Sequence, residues 1–205
     1  MSKHKHERPS QERIYEAALT EFAEFGMAGA RVDRIARRSG VNKAMIYYHF
    51  GSKQSLYESV VRGIAEDAIA GVGNAIKRAG NLEEALLAIA TFHVGGFTRG
   101  KEFIRILLHE IAAGGESFKS VIPKLDGKDE LRTIITDLIE AGKREGVYRD
   151  IDIRHAVISF AGMSAFYLIM SPMANRVWGI EDETEFRDQR PQAIVDLFME
   201  GIKTR

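Results

Sequence analysis

The stretch RVDRIARRSGVNKAMIYYHFGSKQSL, residues 31–56, decides how the rest of this 205-residue chain is read. Over residues 31–38 the apolar side chains Val32, Ile35 and Ala36 recur at the spacing of a two-turn helix with one buried face. So short a helix is not stable alone and must lean on a neighbour. Ser39-Gly40-Val41-Asn42 then interrupts the pattern: Gly40 can take the positive φ that a sharp reversal needs, and Asn42 is placed to cap a new helix. A second short helix over residues 43–49 is therefore expected, held against the first by Val41, Ile46 and Phe50. In such a helix-turn-helix the second helix can enter a DNA major groove while basic residues around it meet the phosphates.

Lys43, Met45, Tyr47, Tyr48 and His49 are left over on that second helix. Tyr47 and Tyr48 are adjacent, so both cannot face a small core, and His49 adds a third group with a polar tip. Phosphate oxygens and base edges would satisfy all three. A glycine-containing helical corner is also a common packing device, but the local charge favours DNA. Arg31, Arg34, Arg37, Arg38, Lys43 and Lys53 crowd a span whose one acid before Glu58 is Asp33.

Ile35-Ala36, Gly40-Val41-Asn42-Lys43, Ile46-Tyr47-Tyr48-His49-Phe50, Lys53 and Leu56 resemble the DNA-binding signature of the tetracycline-repressor family of bacterial transcription regulators. The likeness extends back through Phe22-Ala23-Glu24-Phe25-Gly26, similar to the end of that family's first helix. It covers the first quarter to third of the chain at motif level, and the rest by length and helical character. A motif this long with its spacing intact is a specific signal. The resemblance implies an all-α fold of about nine helices. Residues 1–52 would form a basic arm and a three-helix DNA-binding domain, and residues 53–205 a larger bundle for effector binding and dimerisation. Ala30-Arg31 departs from the pattern, which often has Thr or Ser there to cap the next helix and meet a phosphate. Arg31 can replace the phosphate contact by charge while leaving the cap unmade, at a cost of about 1 kcal/mol.

The formal net charge is zero, which looks wrong for a nucleic-acid binder until it is divided. Residues 1–60 hold ten Lys and Arg against seven Asp and Glu, hence +3; residues 61–205 hold nineteen against twenty-two, hence −3. The field that matters is local, because salt screens charges beyond roughly 8–10 Å. There is no cysteine, so disulfides and thiolate metal sites are excluded. The N-terminal MSKHKHERPS has no apolar stretch, no signal peptide is expected, and no apolar run is expected to reach the ~18–20 residues needed to span a bilayer. A cytoplasmic protein with no membrane partner is the simplest expectation.

Outward from the decisive stretch, Lys3, His4, Lys5, His6 and Arg8 form a basic tail. Ser10 is the expected cap of a first helix carrying Ile14, Ala18, Phe22 and Phe25 on one face and ending at Gly26. Its apolar side would complete a small core with Val32, Ile35, Ile46 and Phe50. Ser52 is placed to cap a fourth, long helix with Leu56, Tyr57, Val60 and Ile64 along one side, the natural lever between the two domains. Further helices are expected from Leu82 to about Phe97, around Phe103–Ile111, over 118–125, from Leu131 to near Gly146, and over 153–170, where Asp150 or Asp152 would cap and Pro172 would end it. A polar connection then leads to a last helix from about Pro191. The 153–170 segment is apolar nearly all round, so one face meets the core and the other calls for a second subunit. Ile158, Met163, Ile194, Leu197, Phe198 and Ile202 are the expected interface, and the resemblance likewise implies a homodimer paired through its last two helices.

No reacting constellation is found for an enzyme: no HExxH, no phosphate loop between strand and helix, no convincing strand. No cofactor and no metal site are expected. For DNA, the resemblance implies that Arg31, Lys43, Tyr48, His49 and Lys53 meet phosphates, and that Tyr47, Asn42, Ala44 and Met45 face base edges. Ala44 and Met45 offer apolar contact such as to thymine methyls, so few direct hydrogen bonds to bases are expected. A dimer would place two reading helices one turn or more of duplex apart, about 34 Å for adjacent turns, and call for a palindromic operator. The resemblance also implies a small-molecule effector pocket in the larger domain. Phe92, Phe97, Phe103, Leu107, Phe118, Met163, Phe166, Tyr167 and Met170 are the candidates, with His93 as either a ligand contact or a core histidine with a satisfied hydrogen bond; filling an ordinary core is the alternative for the set. An apolar lining would favour a hydrophobic or aromatic molecule. Three functions fit: a ligand-released repressor; an activator or protein-controlled regulator without a pocket; and a helical carrier of lipids or small ligands.

Overall fold

Caps and glycines set most helix boundaries where the residues suggest. The computed structural model describes residues 9–95 and 100–204. Ten α-helices lie within them: α1 (Ser10–Gly29), α2 (Val32–Ser39), α3 (Lys43–Phe50), α4 (Lys53–Arg78), α5 (Leu82–Val94), α6 (Gly100–Ala112), α7 (Glu116–Val121), α8 (Lys128–Arg144), α9 (Ile153–Val177) and α10 (Glu183–Ile202), with a 3-10 turn at Ile122–Lys124. Extended pairing among the described residues is limited to an isolated bridge between Tyr148 and Lys203. The all-α expectation holds, with one helix more than about nine. The basic tail and Phe97 lie outside the described residues.

Two compact units form. In the first, residues up to Glu66 pack with those from 100 to Leu125, and α1 lies against α2, α3 and α6. Ile14, Phe22, Ile35, Ile46, Leu56 and Tyr57 are fully buried, and the Phe22 and Tyr57 rings meet edge to face at 4.8 Å. Phe25 is not part of this core: it is 38% exposed, and the Arg34 guanidinium lies 4.0 Å over its ring. Val32 and Phe50 are half-buried. The expected boundary at 52/53 therefore does not coincide with the packing. The first turns of α4 bury Leu56, Tyr57, Val60 and Val61, and the Tyr57 hydroxyl donates to the buried Glu110 carboxylate of α6 at 2.7 Å.

The second unit holds the rest, with α5, α9 and α10 packed against one another. Its core joins Leu86, Ile89, Ile139, Phe160, Ile194 and Phe198, with Phe160 and Phe198 edge to face at 5.1 Å.

Neither proline marks the helix boundary expected of it, Pro172 an end and Pro191 a start. Pro172 lies inside α9 and Pro191 inside α10. A proline removes one backbone bond and crowds the preceding turn, but buried groups on both sides of Pro172 hold the rod together: Tyr167 donates to Asn175 across it at 3.4 Å. α10 starts eight residues before Pro191, because Asp182 accepts from the amides of Thr184 and Glu185. At 25 residues α9 is long and apolar enough, by length and composition, to cross a membrane, which corrects the expectation that no segment is. Its Ala156, Phe160, Ser164 and Tyr167 are buried in this unit.

Candidate DNA-reading surface and ligand cavity

α2 begins without a side-chain cap of its own. The expected cost is offset from α1: Glu21, fully buried, accepts the Arg31 amide at 2.9 Å and the Arg34 Nε at 2.6 Å through one carboxylate oxygen. Arg34 also donates to the Gly29 carbonyl at 2.8 Å. Arg34 thus braces the start of α2, while the Arg31 side chain stays exposed. Glu21 was legible on one count: it continues the helical spacing of Ile14, Ala17 and Ala18, so an acid falls on a buried stripe and must find a donor.

Gly40 ends α2 in the left-handed region at φ 69°, and Asn42 accepts the Met45 amide at 2.9 Å to start α3. Within α3 the buried residue is Ile46. Tyr47 is 47% exposed and Tyr48 80%; Lys43 and Ala44 are also on the surface, and Met45 is half-buried. The Lys43 ammonium pairs with Asp33 at 2.5 Å, and this hydrogen bond holds it above the usual lysine range. His49 is half-buried, its Nε2 2.8 Å from the Ser10 hydroxyl. Ser10 is therefore not the cap expected; Pro9 occupies that position. Ser52 does cap α4, accepting the Ser55 amide at 3.0 Å, and Lys53 reaches the Ala28 carbonyl at 3.5 Å. Asn42, Lys43, Ala44, Met45, Tyr47 and Tyr48 thus lie on or beside one short helix, with Lys43 and both tyrosines on the surface, while Arg31 is exposed at the start of α2.

In the second unit a cavity of about 260 Å³ lies among α4, α5, α8, α9 and α10. Its wall is aliphatic, with Leu86, Ile89, Ile135 and Ile139 beside Ala85, Ala156 and Ala161, and Phe160 and Phe198 supply the rings. His93 also lines it, and is the one member of the expected effector-pocket set that does so among the described residues. Its Nδ1 is 2.7 Å from the Ser164 hydroxyl, whose proton goes to the Phe160 carbonyl at 2.9 Å. Burial pushes the imidazole down to about 4, so it is neutral at pH 7.

The other pocket candidates lie elsewhere. Phe103, Leu107 and Phe118 are half-buried in the first unit. Phe92 packs over Gly71, where a Cβ would collide with its ring. Met163 lines a separate open groove with Leu197 and Phe198, Phe166 is 57% exposed and Tyr167 is buried on Asn175; Met170 is half-buried. The physical reason is that these rings are taken up by other contacts, stay exposed or lie in the first unit, while Phe160 and Phe198, packed on each other, are the rings that border the cavity.

The expected interface set also divides. Ile194, Phe198 and Ile202 are buried in their own unit, at 1, 9 and 5% exposure, and Met163 is half-buried. Ile158 and Leu197 are 70 and 67% exposed, and Phe166, Met173, Val177 and Trp178 join them as bare apolar surface.

Residues 14–60 match the family model described as bacterial regulatory proteins, tetR family, and residues 83–197 match a tetracyclin repressor-like C-terminal domain. The chain is 32% identical to the transcriptional repressor NicS of Pseudomonas putida over 77% of this chain and 75% of that protein. It is 28% identical to the transcriptional regulator RutR of Escherichia coli over 94 and 90% of the two chains. Among solved structures, a transcriptional regulator from Saccharomonospora viridis in complex with choline superposes with a TM-score of 0.72 at 20% identity, covering 96% of this chain and 98% of that one. The ketosteroid regulator KstR2 of Mycobacterium tuberculosis gives 0.67 at 19% identity, covering 97% of each. At such identities the structural likeness concerns the fold.

Proposed function

This chain belongs to the tetR family of bacterial regulatory proteins and is a DNA-binding transcription regulator rather than an enzyme; from that premise we propose that it is a homodimeric repressor, released from a palindromic operator by a hydrophobic small molecule. The observation that carries the DNA half is α3 itself. An eight-residue helix that buries one side chain and turns two adjacent tyrosines and a lysine outward has a reading face open to solvent. Arg31, Lys43, Tyr48, His49 and Lys53 supply phosphate contacts, and Tyr47 with Asn42, Ala44 and Met45 faces base edges. Lys43 must exchange Asp33 for phosphate, and His49 must share or leave Ser10.

The bare apolar stripe of Ile158, Phe166, Met173, Val177 and Leu197 supports pairing through α9 and α10. It also accounts for the apolarity of α9 without a bilayer. Two heads on one palindrome then bind together, and the protein works beside the chromosome in the cytoplasm. The cavity in the second unit supports control by an apolar effector, which relieves repression when it prefers the conformation that does not bind DNA. A named ligand of a relative, such as choline or a ketosteroid, is not carried over, because the wall here is aliphatic with His93 as its polar group.

Fluorescence anisotropy with a palindromic duplex selected from random sequence tests the reading. Binding should show a log-log salt slope of several units. Tyr47→Ala should relax sequence preference, and Lys53→Ala should weaken all duplexes about equally. Salt-insensitive binding, or none at low ionic strength, would leave the carrier function as the better account.

A further inference from the structure

The apolar cavity has a neighbour. An open groove of about 760 Å³ runs along α8 and the start of α9 in the same unit. Leu131, Ile135 and Val157 line both spaces, so a single layer of three apolar side chains stands between groove and cavity. The two spaces differ in chemistry. The cavity wall offers one polar residue, His93, already bonded to Ser164. The groove has an apolar floor that includes Ile69, Ile151 and Ile153, and a rim with Lys128, Arg132, Lys143 and Arg154 beside Glu140 and Asp152; Asp129 and Asp150 also pair with these cations, so four acids meet the four.

The cations are not equivalent. Lys143 sits between Glu140 at 3.0 Å and Asp150 at 3.1 Å, and Arg154 is forked onto Asp152, which also caps α9. Arg132 is 76% exposed and meets Asp129 at 3.1 Å through one nitrogen, while the same carboxylate also serves Lys128 at 3.3 Å. An exposed pair of this kind is weak, and the guanidinium has further donors for a second carboxylate.

Resting on the effector reading above, we propose that groove and cavity together form one site for an amphipathic carboxylate, its apolar body inserted past Leu131, Ile135 and Val157 into the cavity and its head held at the groove by Arg132. Two mismatches single out this class. A small polar anion finds no wall in the cavity to bond with, and a wholly apolar ligand leaves the spare donors of Arg132 unused. The cavity by itself is also below the roughly 300–1,000 Å³ usual for ligand pockets, whereas the groove, at about 760 Å³, is not.

The test uses the full-length protein with dodecanoate and 1-dodecanol, each below its aggregation threshold. Calorimetry should give dodecanoate about tenfold or more the affinity of the alcohol, the scale of one hydrogen bond to a charged group, and Arg132→Gln should bring the carboxylate down to the alcohol's level. Methyl NMR should show dodecanoate shifting Leu86 and Ile89 of the cavity together with Ile151 and Ile153 of the groove. Equal affinities for the two probes, or shifts confined to the cavity, would each overturn the proposal; Ile158, at the edge of the groove, is left out of the readout because it belongs to the stripe proposed for pairing. Operator release is followed in parallel. Release by the alcohol without carboxylate preference sinks this inference and leaves the effector reading standing; carboxylate preference without release does the reverse.

Discussion

Asp33 pairs with Lys43, the lysine that opens α3, and on the DNA reading proposed above that pair must open before Lys43 can meet phosphate. Both partners are more than half exposed, so the pair adds little to stability, yet on the proposed reading its acid competes with phosphate for Lys43. Asp33→Asn is expected to tighten binding to any sequence several-fold at low salt and to steepen the log-log salt slope by about one unit; anisotropy titrations from low to moderate salt check this. His93 carries the other residue-scale prediction. Its folded value of about 4 lies below the ordinary 6.5 because burial disfavours the cation. The unfolded chain therefore takes up a proton first, and the stability held above pH 6.5 is lost as pH falls toward 4. Between pH 7 and pH 5 the loss should be roughly 2 kcal/mol by urea unfolding, and His93→Leu should flatten it. Neither partner was legible beforehand: Asp33 reads as a surface acid, and nothing near His93 in sequence points to Ser164, which lies 71 residues on.

Among elements, α3 owes its start to one side chain. Asn42→Ala removes the acceptor of the Met45 amide and should cost about 1 kcal/mol, with amide exchange rising first in α3 and operator affinity falling with it; Asn42→Ser should keep most of both. This part of the fold was legible because it is written locally: Gly40, Asn42 and Ser52 each act on a backbone within three or four residues. The brace at the other end of the motif was not, since Glu21 reaches the Arg31 amide from a different helix. Pro172 and Pro191 show the same limit. Pro172 reads as a stop and Pro191 as a start, and the buried Tyr167 to Asn175 bond and the Asp182 cap carry the helices through. The large domain was legible as helices and apolar faces, but not as a cavity. Which face of α10 turns inward depends on packing against α5 and α9, so Ile194, Phe198 and Ile202 could not be separated from Leu197 by spacing alone.

At the scale of the whole molecule that same separation gives the sharpest test of assembly. Ile158 and Leu197 leave most of their surface in water, whereas Phe198, next in the chain, packs edge to face on Phe160 inside the unit. If the bare stripe is where two copies meet, charge placed on it breaks the pair and spares the fold. Ile158→Asp with Leu197→Asp should therefore sediment as a monomer at micromolar concentration, with its helical circular dichroism retained. Phe198→Ala should instead lose about 3–5 kcal/mol of stability through the cavity it opens. The monomeric variant keeps its reading helix intact, so its affinity for a single half-site should match that of the parent chain. Its affinity for the palindrome should fall to nearly the same value, because the second head no longer arrives with the first. A double-Asp variant that still sediments as a dimer would place the contact on some other face, and the doubling of the DNA-reading head would then need a different geometry.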